Sequence, residues 1–115
     1  LALYLTHGKV KDVAVVWVVG RIVLGKETSD LREKVKGLYD QGYKKLLLNM
    51  DGVTFIDSAG LGVLVALNFS AKSCGASLRL CQLGSKFKDL MYITKLYTVF
   101  EVSDSQADAL RDFSG

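Results

Sequence analysis

The segment LLLNMDGVTFIDSAGLGVLV, Leu46 to Val65, decides how the rest of the chain is read. Its first part continues Lys44 and Lys45 into an apolar run, and Lys44–Met50 reads as a buried strand. Its last part is a series of small and apolar residues that continues to Ser73, predicting a helix over residues 58–73. Asp57 and Ser58 stand at the junction. Either side chain can accept hydrogen bonds from the unpaired amides of a first helical turn, so either can cap the helix. The same helix end carries partial positive charge, which makes a phosphate on Ser58 compatible with a folded domain. A dianion there would also stand on a surface of small apolar residues, Ala59, Gly60 and Leu61, and repel a partner docked on it. Ser58 is thus a helix cap or a modification site.

The elements on either side follow the same logic. Residues 1–6 alternate weakly and read as a short strand, HGKVKD (7–12) as a polar turn, and Val13–Val19 as a β-branched strand covered on both faces. These two strands predict an antiparallel hairpin. Leu31, Val35 and Leu38 form one stripe of a helix. Asp30 with Glu33 resembles its capping box, Thr28 and Ser29 are alternative caps, and Gly42 is placed to end it. After the 58–73 helix, Gly75 breaks the chain and Ser77–Gln82 alternates as a strand. A short helix over 85–92 turns Phe87, Leu90 and Met91 inward, and a last strand is expected near Thr98–Val102. Ser103 and Gln106 suggest a capping box for a final helix carrying Ala107, Leu110 and Phe113. Helices and strands alternate after the hairpin, so the fold class is α/β, a mixed, mostly parallel sheet with one antiparallel edge and about four helices.

Bulk properties narrow the function. A chain of 115 residues, half of them apolar, fits one domain over residues 1–115 with a real core. A net charge of +3 without a basic block gives no nucleic-acid footprint. No apolar stretch reaches the length of a bilayer span, which predicts no membrane insertion. No signal peptide is seen, although the chain starts at Leu1 without a methionine, so a processed or trimmed start is open. Cys74 and Cys81 form no C-x-x-C pair and read as reduced, mostly buried thiols of a cytoplasmic protein. With His7 as the only histidine, no metal or other cofactor is expected.

Catalysis has little to stand on. A serine nucleophile needs a base, and His7 lies at the far end of the chain. The segment around Ser58 lacks the G-x-S-x-G form, because Ile56 occupies the first glycine position. Gly60 and Gly62 are followed by Val65 where a dinucleotide fingerprint needs its third glycine. An aspartyl-phosphate receiver built on Asp51 would need an acidic pair after its first strand, and the residues there are HGKVKD and GRIVLGK.

On these residues the chain resembles the STAS domains, the sulphate transporter and anti-sigma factor antagonist family. The matching elements are the apolar strand Leu46–Met50, Val53 to Ile56, Asp57-Ser58 and Gly60-Leu61-Gly62. The likeness runs on through GASLRLCQL, FKDLMYITKLYTVFEV and the closing helix. The resemblance implies an anti-sigma factor antagonist acting by partner switching. Unphosphorylated, it would bind an anti-sigma factor that is also a serine kinase; phosphorylated on Ser58, it would let go, and a serine phosphatase would reset it. It also implies a partner surface of Asp57, Ser58, Ala59, Gly60, Leu61, Gly62 and the Arg21 loop. Arg21 and Val23 depart from the acidic residues many antagonists carry after the second strand, and Ala59 replaces a second hydroxyl. The alternative within the family is a scaffold or regulatory subunit in which Ser58 is only a cap.

Overall fold

In the computed structural model, which describes residues 2–114, five strands form one sheet in the order β1-β2-β3-β4-β5. The strands are β1 (Leu3–Val10), β2 (Val13–Ile22), β3 (Lys45–Ile56), β4 (Ser77–Cys81) and β5 (Glu101–Ser103). The helices are α1 (Lys26–Asp40), α2 (Ser58–Ser73), α3 (Ser85–Ile93) and α4 (Gln106–Ser114), with a 3₁₀ turn at Leu96–Thr98. β1 runs antiparallel to β2, and every later pairing is parallel. The mixed α/β architecture expected from the alternating pattern is the one observed.

The period-two alternation of the strands sorts the core into two layers. Ala14, Val16, Val18, Leu46, Leu48 and Leu80 face the layer of α1, α2 and α3, where Leu31, Leu38, Leu64 and Phe87 close over them. Val13, Val15, Leu47 and Cys81 face the other way, under Ala109, Leu110 and Phe113 of α4. A leucine as fully buried as Leu64 contributes about 1.5–3 kcal/mol. Cys81 lies in the second layer, and burial, with a smaller push from Asp51, raises its thiol to about 11. Cys74 is exposed, which corrects the expectation that both thiols are buried.

Several boundaries differ from the sequence reading, each for a local reason. His7 to Val10 belong to β1, paired with Val16 to Val13, so only Lys11 and Asp12 turn the hairpin; Leu1 lies outside the described residues. β2 continues through Gly20 to Ile22, and β3 runs on past Met50 to Ile56. The two extensions hold each other by pairing Val19 with Gly52 and Ile22 with Ile56, across two register slips. Asp51 is therefore a mid-strand residue.

α1 starts earlier than expected, at Lys26. Its capping contacts lie at Gly25, whose amide donates to Thr28 Oγ1 (3.3 Å) and whose carbonyl accepts from the same hydroxyl (3.0 Å). Asp30 is inside the helix and pairs with Lys26. Gly42, at φ +97°, turns the chain out of the helix. Thr98 is in the 3₁₀ turn, so β5 begins only at Glu101. The hydroxyl that caps α4 is that of Ser105, accepting from the Asp108 amide at 3.1 Å. Ser103 instead donates to Asp112 Oδ2 (2.6 Å) and accepts from Arg79 (3.3 Å), latching α4 to the sheet. Ala107 faces solvent, and Ala109 takes the buried place.

Gln106 fixes the start of α4. Its Oε1 accepts from both Trp17 Nε1 (3.1 Å) and Asn49 Nδ2 (2.9 Å), and Asn49 is buried. Gln106→Ala leaves both donors unmatched, and a buried unmatched donor costs about 1–3 kcal/mol. Chemical denaturation followed by the single tryptophan should show that loss; an unchanged midpoint would mean water replaces the glutamine freely.

Candidate functional site

The C-terminal ends of β2 and β3 lie side by side, with Arg21 opposite Phe55 and Ile22 opposite Ile56. One more bond, Asp57 N–H to the Ile22 carbonyl at 3.2 Å, carries the pairing to the last residue before α2. Asp57 then leaves the strand direction and caps the helix. Its Oδ1 accepts from the Gly60 amide (2.8 Å), its carbonyl from the Leu61 amide (3.0 Å), and its Oδ2 from the Leu24 amide (3.0 Å). One carboxylate thus ties the β2–α1 loop to the first turn of α2. The cap left open between Asp57 and Ser58 is Asp57.

These donors favour the ionised form. The Leu24 amide first, then the Gly60 amide, hold the Asp57 carboxyl below the ordinary aspartate value of 3.8. A folded value below the unfolded one gives stability that is complete above about pH 4 and is lost as pH falls through the lowered folded value. Asp57→Ala should melt several degrees below wild type at neutral pH. That gap should narrow as the solution is taken toward pH 2, since protonation removes the same interaction from wild type. A gap constant with pH would show that the carboxylate's charge plays no part.

Ser58 is the first residue of α2; it is exposed, and its hydroxyl has no hydrogen-bond partner among the described residues. Asp57 and Ala59 beside it are half-buried. Gly60 and Leu61, expected on the partner surface, are instead turned into the core: Leu61 is 8% exposed, and a Cβ on Gly60 would overlap the Ile22 carbonyl oxygen. Gly62 is exposed with no neighbour around the place of its missing Cβ. Exposure follows one stripe of α2, from Ser58 through Gly62, Ala66 and Phe69 to Ser73. Leu61, Leu64, Leu67 and Ala71 fill the opposite stripe.

Two residues at this end carried no sequence signal. Leu24 is 77% exposed at the loop held by Asp57, yet a leucine between Val23 and Gly25 looks like any other apolar residue. Phe55, half exposed, lies under the Arg21 guanidinium, whose carbon is 5.3 Å from the ring centroid. Val53 and Ile56 both pack against the core although they are three residues apart, so simple alternation does not mark Phe55 as exposed. His7 pairs with Val16, six residues before Ile22 on β2. That places it about 20 Å from the Ser58 junction, too far to serve as a base for the serine.

This fold recurs in known proteins. A family model described as the STAS domain matches residues 7–109. The chain is 37% identical to the anti-sigma-B factor antagonist of Bacillus subtilis over 73 residues, 64% of this chain and 66% of that protein. An anti-sigma factor antagonist from Mycobacterium paratuberculosis superposes with a TM-score of 0.84 at 19% identity, covering 99% of this chain and 96% of that one. The anti-sigma factor antagonist SpoIIAA is similar in both states solved. Its unphosphorylated form gives a TM-score of 0.72 and its phosphorylated form 0.71, each at 15% identity, covering 98% and 97% of this chain and 97% and 99% of those chains. With the family model spanning nearly the whole sheet, from β1 into α4, this chain belongs to the STAS domain family and is similar to its anti-sigma factor antagonists.

Proposed function

We propose that this protein is a cytoplasmic, phosphorylation-controlled anti-sigma factor antagonist whose switch is Ser58. The observation that carries the reading is the division of labour at the start of α2. Asp57 does the capping, so the adjacent hydroxyl is exposed and uncommitted on a rigid base. A residue needed as a cap could not be modified without cost to the helix; Ser58 can. The existence of SpoIIAA, a relative in fold, in phosphorylated form supports the compatibility of this fold with the modification.

Unphosphorylated, the surface around Ser58 docks an anti-sigma factor with serine kinase activity and keeps it from its sigma factor. ATP and its metal belong to that partner. The Ser58 oxygen attacks the γ-phosphorus of ATP, ADP leaves, and the hydroxyl proton passes to a base of the kinase. A serine phosphatase returns the hydroxyl by hydrolysis. The phosphate gains little from the helix end, because Asp57 already engages the Gly60 and Leu61 amides. It stands in solvent beside the Asp57 carboxylate as an added charge of about −1.5 to −2, the form in which it repels most.

The test is to incubate the protein with ATP and the serine kinases of its source cell and to map the product. One phosphate should be found, on Ser58, and none on a Ser58→Ala protein. Phosphate found elsewhere, or nowhere, overturns the reading.

A further inference from the structure

We infer that the partner meets this site with an acidic face: a carboxylate for Arg21 beside an apolar socket for Leu24. The inference rests on the partner-switching reading and names the chemistry of the surface it requires.

Arg21 is the observation that points outward. It is half-buried, lies over the half-exposed ring of Phe55, and makes no ion pair with any carboxylate among the described residues. Glu27, in the first turn of α1, makes no ion pair with Arg21 among the described residues, and other acidic groups around the loop are occupied or distant. Asp57 is held by the Leu24 and Gly60 amides, and Asp30 is paired with Lys26. Asp51 is four residues back along β3 from Phe55, about 13 Å. A guanidinium resting on an aromatic ring has lost much of its rotamer freedom already, and its planar fork matches a carboxylate with two parallel hydrogen bonds. Such arginines, placed on aromatic groups, are among the residues that dominate interface energies.

Leu24 is the second, independent element. A leucine 77% exposed in a loop would ordinarily be expensive to order on binding, but here its own backbone amide is anchored on Asp57 at 3.0 Å. The apolar side chain is offered from a fixed point, which lowers the ordering cost of seating it. It occupies the same junction as Ser58, because the carboxylate that holds it also caps the helix Ser58 begins.

An acidic partner face also explains how the switch discriminates. Ile22 and Asp57 are joined by a backbone hydrogen bond, so the backbones of their neighbours Arg21 and Ser58 lie within roughly 10 Å of each other. That separation is close to the screening length of about 8 Å at physiological salt. An acidic face that attracts Arg21 in the unmodified protein therefore also repels a phosphate on Ser58.

The experiment uses the kinase that phosphorylates wild-type protein on Ser58, purified by that activity. Its dissociation constant is measured for unphosphorylated wild type, Arg21→Glu, Leu24→Ser and, as a control at the opposite end of the strands, Lys9→Glu, at about 50 and 300 mM salt. Arg21→Glu should weaken binding at least about tenfold and reverse the sign of the salt dependence. Leu24→Ser should weaken it about tenfold with the salt dependence unchanged. Lys9→Glu should stay within about twofold. Circular dichroism confirms that the variants are folded. Arg21→Glu binding as tightly as wild type, or more tightly, overturns the acidic face, and Leu24→Ser binding like wild type overturns the socket. Those results leave Ser58 switching intact. Absence of any kinase that modifies or binds wild type defeats the partner-switching reading itself and this inference with it.

Discussion

Gly60→Ala lowers the melting temperature by about 15 °C, while Gly62→Ala, two residues further along the same helix, raises it by a few degrees. In an unconstrained helix both changes would stabilise by about 0.5–1 kcal/mol, because alanine loses less conformational freedom on folding than glycine does. Gly62 is in that situation: it is exposed, inside α2, with no atom within 4 Å of the place its Cβ would take. Gly60 is not. A methyl there overlaps the Ile22 carbonyl oxygen, and Ile22 Cγ2 and Ile56 Cγ1 stand at 2.9 Å. The side-chain atoms can yield, but the carbonyl belongs to β2, and its oxygen accepts the Asp57 amide. Moving it disturbs the strand pairing and the cap together. Overpacking against backbone puts the cost at about 3 kcal/mol, well above the propensity gain. Thermal melts of the two variants decide the matter; a Gly60→Ala protein as stable as wild type would mean that α2 can lift from the sheet without loss. Because Gly62 lies on the same exposed stripe as Ser58, its alanine variant also asks whether the partner approaches that stripe closely enough to notice one methyl group.

The other large effect is on binding rather than folding. Ser58→Asp should weaken partner binding by about a hundredfold, the consequence of a few kcal/mol of like-charge repulsion in a partly desolvated interface. The same change should leave the melting temperature within about 2 °C, since the cap is Asp57 and Ser58 has no partner to lose. Ser58→Ala should bind like wild type and resist the kinase. The pairing of results matters. A Ser58→Asp protein that stays folded but still binds fully would leave Ser58 without a switching role and favour a scaffold. One that loses binding through unfolding would show that the serine supports the helix after all. Titration calorimetry beside a thermal melt separates these outcomes.

The segment Leu46–Val65 carried most of what could be read in advance. Its strand, its helix over residues 58–73 and the Asp57-Ser58 junction between them all follow from local pattern. What the pattern mistook were places where a distant residue decides. Local pattern ends this strand at Met50, where Asp51 and Gly52 interrupt the apolar run, and only pairing with Val19–Ile22 carries it on to Ile56. Asp30 looked like a cap, but the helix is started by the Gly25–Thr28 exchange one turn earlier. Gly60 and Gly62 looked alike in GLG, yet one touches backbone and the other faces solvent.

By itself, then, the sequence determined the α/β order of elements, the strand-to-helix junction at Asp57-Ser58 and the family pattern around it. Those depend on periodicity and on residues close together in the chain. The tertiary structure alone decided that the Asp57 cap also holds the β2–α1 loop, its second oxygen accepting from the Leu24 amide 33 residues away. It alone set Arg21 on Phe55 and turned Leu24 outward. Which side chain meets solvent at that junction is settled by the register of β2 on β3 and the approach of α2 to Ile22, contacts between segments that local pattern cannot encode.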